Sequence, residues 1–125
     1  MEEMQEMLKK IESILAKDTT YKFEAYSFAL AGLHSTVIKL PSPRHITGQE
    51  LCEGLKKYAL DQFGPLARTV LEYWGIRSTR DFGKVVFHLI DVELLRKNEG
   101  DSMRDFEDVF DFDKAFRYEF KEEKE

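Results

Sequence analysis

Apolar residues recur at steps of three and four through most of this chain, and the breaks between the runs are sharply marked. Met4, Met7, Leu8, Ile11, Ile14 and Leu15 form one stripe, with Lys9, Lys10, Glu12 and Lys17 opposite, which predicts an amphipathic first helix. Asp18, Thr19 and Thr20 interrupt it, and either threonine can cap the next helix. This second predicted helix, about residues 21–40, is apolar nearly all round: Phe23, Ala25, Tyr26, Phe28, Ala29, Leu30, Leu33 and Val37 against a narrow strip of Glu24, Ser27 and Ser35. A helix of that kind belongs in the middle of a domain. Pro41 and Pro43 end it, because proline cannot continue the hydrogen-bond ladder and restrains the residue before it.

Thr47-Gly48-Gln49-Glu50 has the spacing of a capping box, in which side chains at the two ends satisfy each other's amides. A third helix comes next, with Leu51, Leu55, Tyr58, Ala59 and Phe63 on one face; Gly64 stops it and Pro65 suits a new first turn. A short fourth helix buries Leu66, Val70, Leu71 and Trp74 and ends at Gly75. Ser78 and Asp81 start a fifth, with Phe82, Val85, Val86, Leu89 and Ile90 inward. Gly83 within it costs about 1 kcal/mol relative to alanine. Close packing by a neighbour offsets that cost, and the Trp74 region is the expected neighbour.

The order of a short helix, a turn from Gly75 to Ser78 and another helix is that of a helix-turn-helix. Leu94–Lys97, a polar turn at Asn98–Asp101 and the aromatic run from Phe106 to Phe112 can supply two short strands, a wing. The expected fold is therefore mainly α, a single domain of about five to six helices whose C-terminal part is winged-helix-like with a small β-hairpin. The alternative is an all-α bundle in which residues 102–110 and 113–120 are short helices, with Phe112, Phe116 and Phe120 at four-residue steps. The division expected is an N-terminal amphipathic helix (1–18), a globular domain (19–120) and a charged tail (121–125).

Composition narrows the class. With 125 residues, 42% hydrophobic and 34% charged, the chain can bury a core as one folded domain. No apolar run reaches membrane-spanning length, and the acidic start Met1-Glu2-Glu3 is unlike a signal peptide, so a cytoplasmic protein without membrane partners is expected. Cys52 is the only cysteine, which excludes an intramolecular disulfide. The net charge of −5 is uneven: residues 1–43 carry −1, residues 44–97 carry +2 and residues 98–125 carry −6. A general nucleic-acid coater needs a stronger basic footprint, so that partner is possible but not favoured.

Candidate chemistry is sparse. On the fifth helix Arg80, Lys84, His88 and Asp91 fall on the outward face, with Arg77 just ahead. Arg77, Arg80, Lys84 and His88 are thus the possible contacts for nucleic acid or another partner, although an ordinary solvated face has the same pattern. His34, His45 and His88 lack metal-ligand spacing, and structural roles suit them better. Cys52 reads as a small buried hydrophobe; pairing with His45 or His34 as a nucleophile lacks an orienting group. Asp101, Asp105, Asp108, Asp111 and Asp113 lack the glycine and terminal glutamate of a calcium loop. They suit helix caps and pairs with Arg96, Lys97 or Arg104. No metal, cofactor or catalytic set is expected.

The motifs R-H-I-T-G-Q-E-L (44–51), A-L-D-Q-F-G-P-L-A (59–67), W-G-I-R-S-T-R-D-F-G-K-V-V-F-H-L-I (74–90) and D-F-E-D-V-F-D-F (105–112) resemble a small uncharacterised bacterial family of planctomycete and verrucomicrobial type. The resemblance spans about Asp18 to Phe116. It implies a cytoplasmic bacterial protein of unassigned activity and brings no site residues with it. The function expected is a small protein-interaction or regulatory module without catalytic activity, with a protein partner or a second copy of itself. The alternative is a nucleic-acid-binding regulator using the helix-turn-helix face.

Overall fold

In the computed structural model, which describes residues 2–117, there are six helices: α1 (Glu2–Lys17), α2 (Phe23–Ile38), α3 (Gly48–Phe63), α4 (Ala67–Tyr73), α5 (Thr79–Asp91) and a single-turn α6 (Phe112–Ala115). Two 3₁₀ turns, Gly64–Leu66 and Met103–Phe106, complete the regular structure. Among the described residues there is no strand.

The starts and stops obey local chemistry. The Thr47 hydroxyl accepts the Glu50 amide at 3.0 Å, and the Glu50 carboxylate accepts the Thr47 amide at 2.8 Å, so the expected box is complete. Gly64 and Gly75 take positive φ of 54° and 100° where α3 and α4 end, a conformation that side chains with a Cβ avoid. Two caps differ from expectation. Neither Thr19 nor Thr20 caps α2: the amide and hydroxyl of Thr20 turn back to Asp18, and Lys22 stands at the cap without a side-chain bond. Ser78 caps α5, but the Asp81 carboxylate takes the Arg77 amide at 2.8 Å instead of closing a box.

α2 and α3 form the most extensive helix pair, and α5 packs across α2. Where α2 and α3 cross, Gly54 lies so close to Thr36 that an added Cβ would meet its Oγ1 at 2.1 Å. The absent side chain sets the approach distance. Tyr26, Leu55, Leu71, Val85 and Leu89 meet in the middle, fully buried. α1 adds Ile11 and Ile14 to that core, so its second half docks on the domain, while Met4 and Leu8 stay exposed.

The winged-helix-like arrangement with a β-hairpin is overturned between Leu94 and Phe112. That stretch is a turn at 98–101, the 3₁₀ turn, a loop and α6. Local side chains win the backbone there. Ser102 and Asp105 form a second capping box, Asp111 caps α6, and Glu93 and Asp108 take positive φ of 64° and 50°, which breaks any extended run. Phe106 is claimed by α5. A Cβ on Gly83 would stand 2.7 Å from the Phe106 Cβ and Cγ, so this ring, and not the Trp74 region, is what the glycine admits. Trp74 packs instead with Phe28 and Phe63. The all-α alternative is thus the observed class, with Phe112 and Phe116 buried as the four-residue spacing implies. Phe120 and the 121–125 tail lie outside the described residues.

Candidate functional site

The loop that replaces the wing walls a cleft. Leu33 and Val37 of α2, Leu51 of α3, Val86 and Ile90 of α5 and Phe106 form its apolar floor, with a cavity of about 210 Å³ open on one side. Arg44, His45, Arg96, Asn98, Asp101 and Asp105 make its rim.

Most of that rim is fixed by bonds within the chain. Arg44 meets Glu50 in a two-bond fork at 3.1 and 2.9 Å. That guanidinium, with the Thr47 amide second, holds the Glu50 carboxyl down at about 2. His45 is held at both ring nitrogens. The Asn98 amide nitrogen can only donate, so Nδ1 accepts it at 2.7 Å. The ring proton therefore sits on Nε2, 3.1 Å from an Asp101 oxygen. The other Asp101 oxygen accepts the Asn98 amide at 2.9 Å. His45, Asn98 and Asp101 form a clasp that ties the 98–101 turn to the entrance of α3. One Asp105 oxygen accepts the Ser102 amide. Arg96 alone among the rim cations makes no hydrogen bond or ion pair among the described residues.

A second polar group lies on the other side of α5. The Tyr21 hydroxyl donates to Asp81, whose second oxygen holds the Arg77 amide. Tyr26 shares a hydrogen bond of 2.9 Å with His88 Nδ1, and His88 Nε2 is 3.7 Å from Asp18. Both tyrosines are buried, 1% and 0% exposed. Burial, and then the Asp81 contact, raises the Tyr21 phenol; burial pushes Tyr26 up to about 12. These are structural hydroxyls, poor proton donors near neutral pH.

The four residues singled out on α5 therefore divide. Arg77, Arg80 and Lys84 are exposed, and their side chains make no hydrogen bond or ion pair among the described residues. His88 is half-buried and faces Tyr26 and Asp18. α5 itself is wedged between α2 and the 103–106 turn, so it offers solvent a strip and not a free face. Cys52 is 0% exposed and burial pushes its thiol up to about 12, which leaves it uncharged and out of reach of a substrate. Among the described residues no three histidine, cysteine or acidic side chains converge to hold a metal ion. Asp111 and Asp105 cap, as expected, and Asp113 pairs with Arg68 at 2.6 Å and Arg117 at 3.4 Å in place of Arg96, Lys97 or Arg104.

Nothing in the sequence pattern points to the clasp. His45 lies 53 and 56 residues from its partners, and no local spacing betrays contacts of that range. The one local signal is the Asn98–Asp101 turn, whose side chains suit closing on their own backbone. No helix among the described residues is long and apolar enough to cross a membrane. No family model, no curated protein and no solved structure matches the chain, so the bacterial family that its motifs resemble gains no support from these comparisons.

Proposed function

We propose that the chain is a small cytoplasmic protein-interaction module without catalytic activity, and that the cleft between α2, α3 and α5 is where it holds its partner. One observation carries this reading: the cleft leaves Leu33, Val37 and Ile90 only half-buried while nearly every polar group on its rim is already held in place. Covering such a floor is favourable at about 25 cal/mol per Å². A rim held in place loses little freedom on binding. The buried, uncharged Cys52 supports the non-catalytic part.

The test is an amide-resolved NMR titration with short capped peptides bearing one aliphatic side chain. Shifts are expected at Leu33, Val37, Gly48, Leu51 and Val86, and they should vanish in Val37→Phe, which fills the floor. Shifts confined to another face would refute the assignment.

A second reading rests on a different observation, the three exposed cations Arg77, Arg80 and Lys84 along one strip. In that reading they contact nucleic-acid phosphates. A low-salt gel shift with Arg80→Ala/Lys84→Ala alongside decides it: binding lost in the variant supports it, and no shift of the parent chain removes it.

A further inference from the structure

We propose that two copies of the chain associate through the first half of α1, in antiparallel order, with Met4 of one copy against Met7 of the other. The apolar stripe of this helix is longer than the surface that covers it. Its second half is docked on the domain: Ile11 is 0% exposed and Ile14 6%. Its first half carries the same stripe outward, with Met4 56% and Leu8 36% exposed and Met7 half-buried. No α1 residue lines the cleft, so this surface is separate from the one assigned to a partner above and stands independently of it.

Charge identifies what covers it. Glu2, Glu3 and Glu6 precede Met7, and Lys9 and Lys10 follow it, while Glu12 and Lys17 further along offset each other. None of the first five makes an ion pair among the described residues. Met4, Met7, Ile11 and Ile14 alternate at steps of three and four, the seam of a heptad pattern. Glu3 and Lys10 stand one heptad apart and so flank the same edge of that seam. A two-fold axis that sets Met4 of each copy against Met7 of the other also brings each Glu3 to the opposite Lys10. That edge then holds two attractive pairs and no like-charged one. A parallel pair would bring the two acidic ends together instead. A foreign partner would have to supply the reverse gradient of charge; a second copy, turned round, already has it. The overlap from Glu3 to Lys10 is about two turns of helix, well short of the roughly 1,000 Å² that a stable interface buries, so the pair is weak, with a dissociation constant on the order of 0.1 mM.

Sedimentation equilibrium of the whole chain tests this, from about 10 µM to about 1 mM protein. Salt of about 0.1 M screens the net −5 of each copy beyond roughly 10 Å and leaves close pairs standing. The apparent mass is expected to rise toward twice that of one chain. Glu3→Lys alone and Lys10→Glu alone each place like charges at both contacts, and each should weaken self-association at least about tenfold. An equimolar mixture of the two variants restores a lysine opposite a glutamate at both contacts, and should recover the association to within about threefold of the parent. Glu3 is exposed and Lys10 only half-buried, so neither substitution touches the core. A parent chain that stays monomeric to about 1 mM overturns the proposal. A parent that dimerises with both charge variants unaffected overturns the assignment to α1. Loss in both variants without recovery in the mixture overturns the antiparallel order.

Discussion

Thr79 offers the sharpest test of how the cleft wall is held. It is buried, 2% exposed, in the first turn of α5, and its hydroxyl serves two backbone groups of the loop that crosses there. The hydroxyl donates to the Phe106 carbonyl at 2.7 Å and accepts the Val109 amide at 3.2 Å. Thr79→Val keeps the shape and removes both bonds. A buried group left without its partner costs about 1–3 kcal/mol, and two are orphaned. Val109 is half-buried and can recover water, so its share falls at the low end. The expected loss is about 2–4 kcal/mol in urea unfolding. Thr79→Ser keeps the hydroxyl and gives up a methyl group, about 1 kcal/mol. Hydrogen exchange adds a local readout, since the Val109 amide should lose protection in the valine variant and keep it in the serine one. A valine variant within about 0.5 kcal/mol of the parent refutes the staple. So does a serine variant as costly as the valine one.

Three further outcomes are expected. Gly83→Ala gains about 1 kcal/mol of helix propensity, yet places a Cβ 2.7 Å from the Phe106 ring stem, so overpacking of about 1–3 kcal/mol should leave it destabilised in thermal melts. The Glu50 carboxyl is held at about 2, below its ordinary 4.5, so its stabilising contribution is complete above about 4.5 and lost as pH falls toward about 2; Glu50→Gln should flatten that part of the acid limb of the melting curve. Cys52, buried with its thiol raised to about 12, should resist a neutral-pH thiol reagent in the folded protein and react at the rate of unfolding; fast labelling would place it at the surface.

The helical half of this fold was legible because its signals are local. Thr47 with Glu50, Gly64, Pro65 and Gly75 each act on the residues beside them, and the three-to-four spacing of Phe82, Val85, Val86 and Leu89 needs no distant information. The stretch after Leu94 misled because its aromatic run satisfies more than one pattern. Phe106, Phe110 and Phe112 suit a strand by composition, but a strand needs a ladder, and among the described residues no chain lies alongside to supply one. The deciding residues were Ser102, Asp105 and Asp111, short polar side chains that bond their own backbone and bend it. Gly83 was readable as a close approach but not as to whom, since Phe106 lies far along the chain. The cleft was invisible for the same reason. Its floor comes from three helices, and its rim is joined by His45 across more than fifty residues.

If the cleft holds a partner as proposed, that construction ties binding to folding. The same C-terminal segment supplies Phe106 to the core and Arg96, Asn98, Asp101 and Asp105 to the cleft. It is held by two polar fastenings at opposite ends, the His45 clasp on the 98–101 turn and the Thr79 staple on Phe106 and Val109. On the interaction reading a lifted segment would withdraw part of the cleft lining, so the closed form is the one expected to bind. A partner then stabilises the segment by about 2.7 kcal/mol at a hundredfold excess over its dissociation constant. By the same linkage a weakened fastening lowers the apparent affinity by the fraction of closed molecules lost. Loosening the clasp with His45→Ala should therefore lower the apparent affinity, although it also removes a side chain from the cleft rim. Hydrogen exchange of the segment's amides is the readout, since a loosened clasp should speed it.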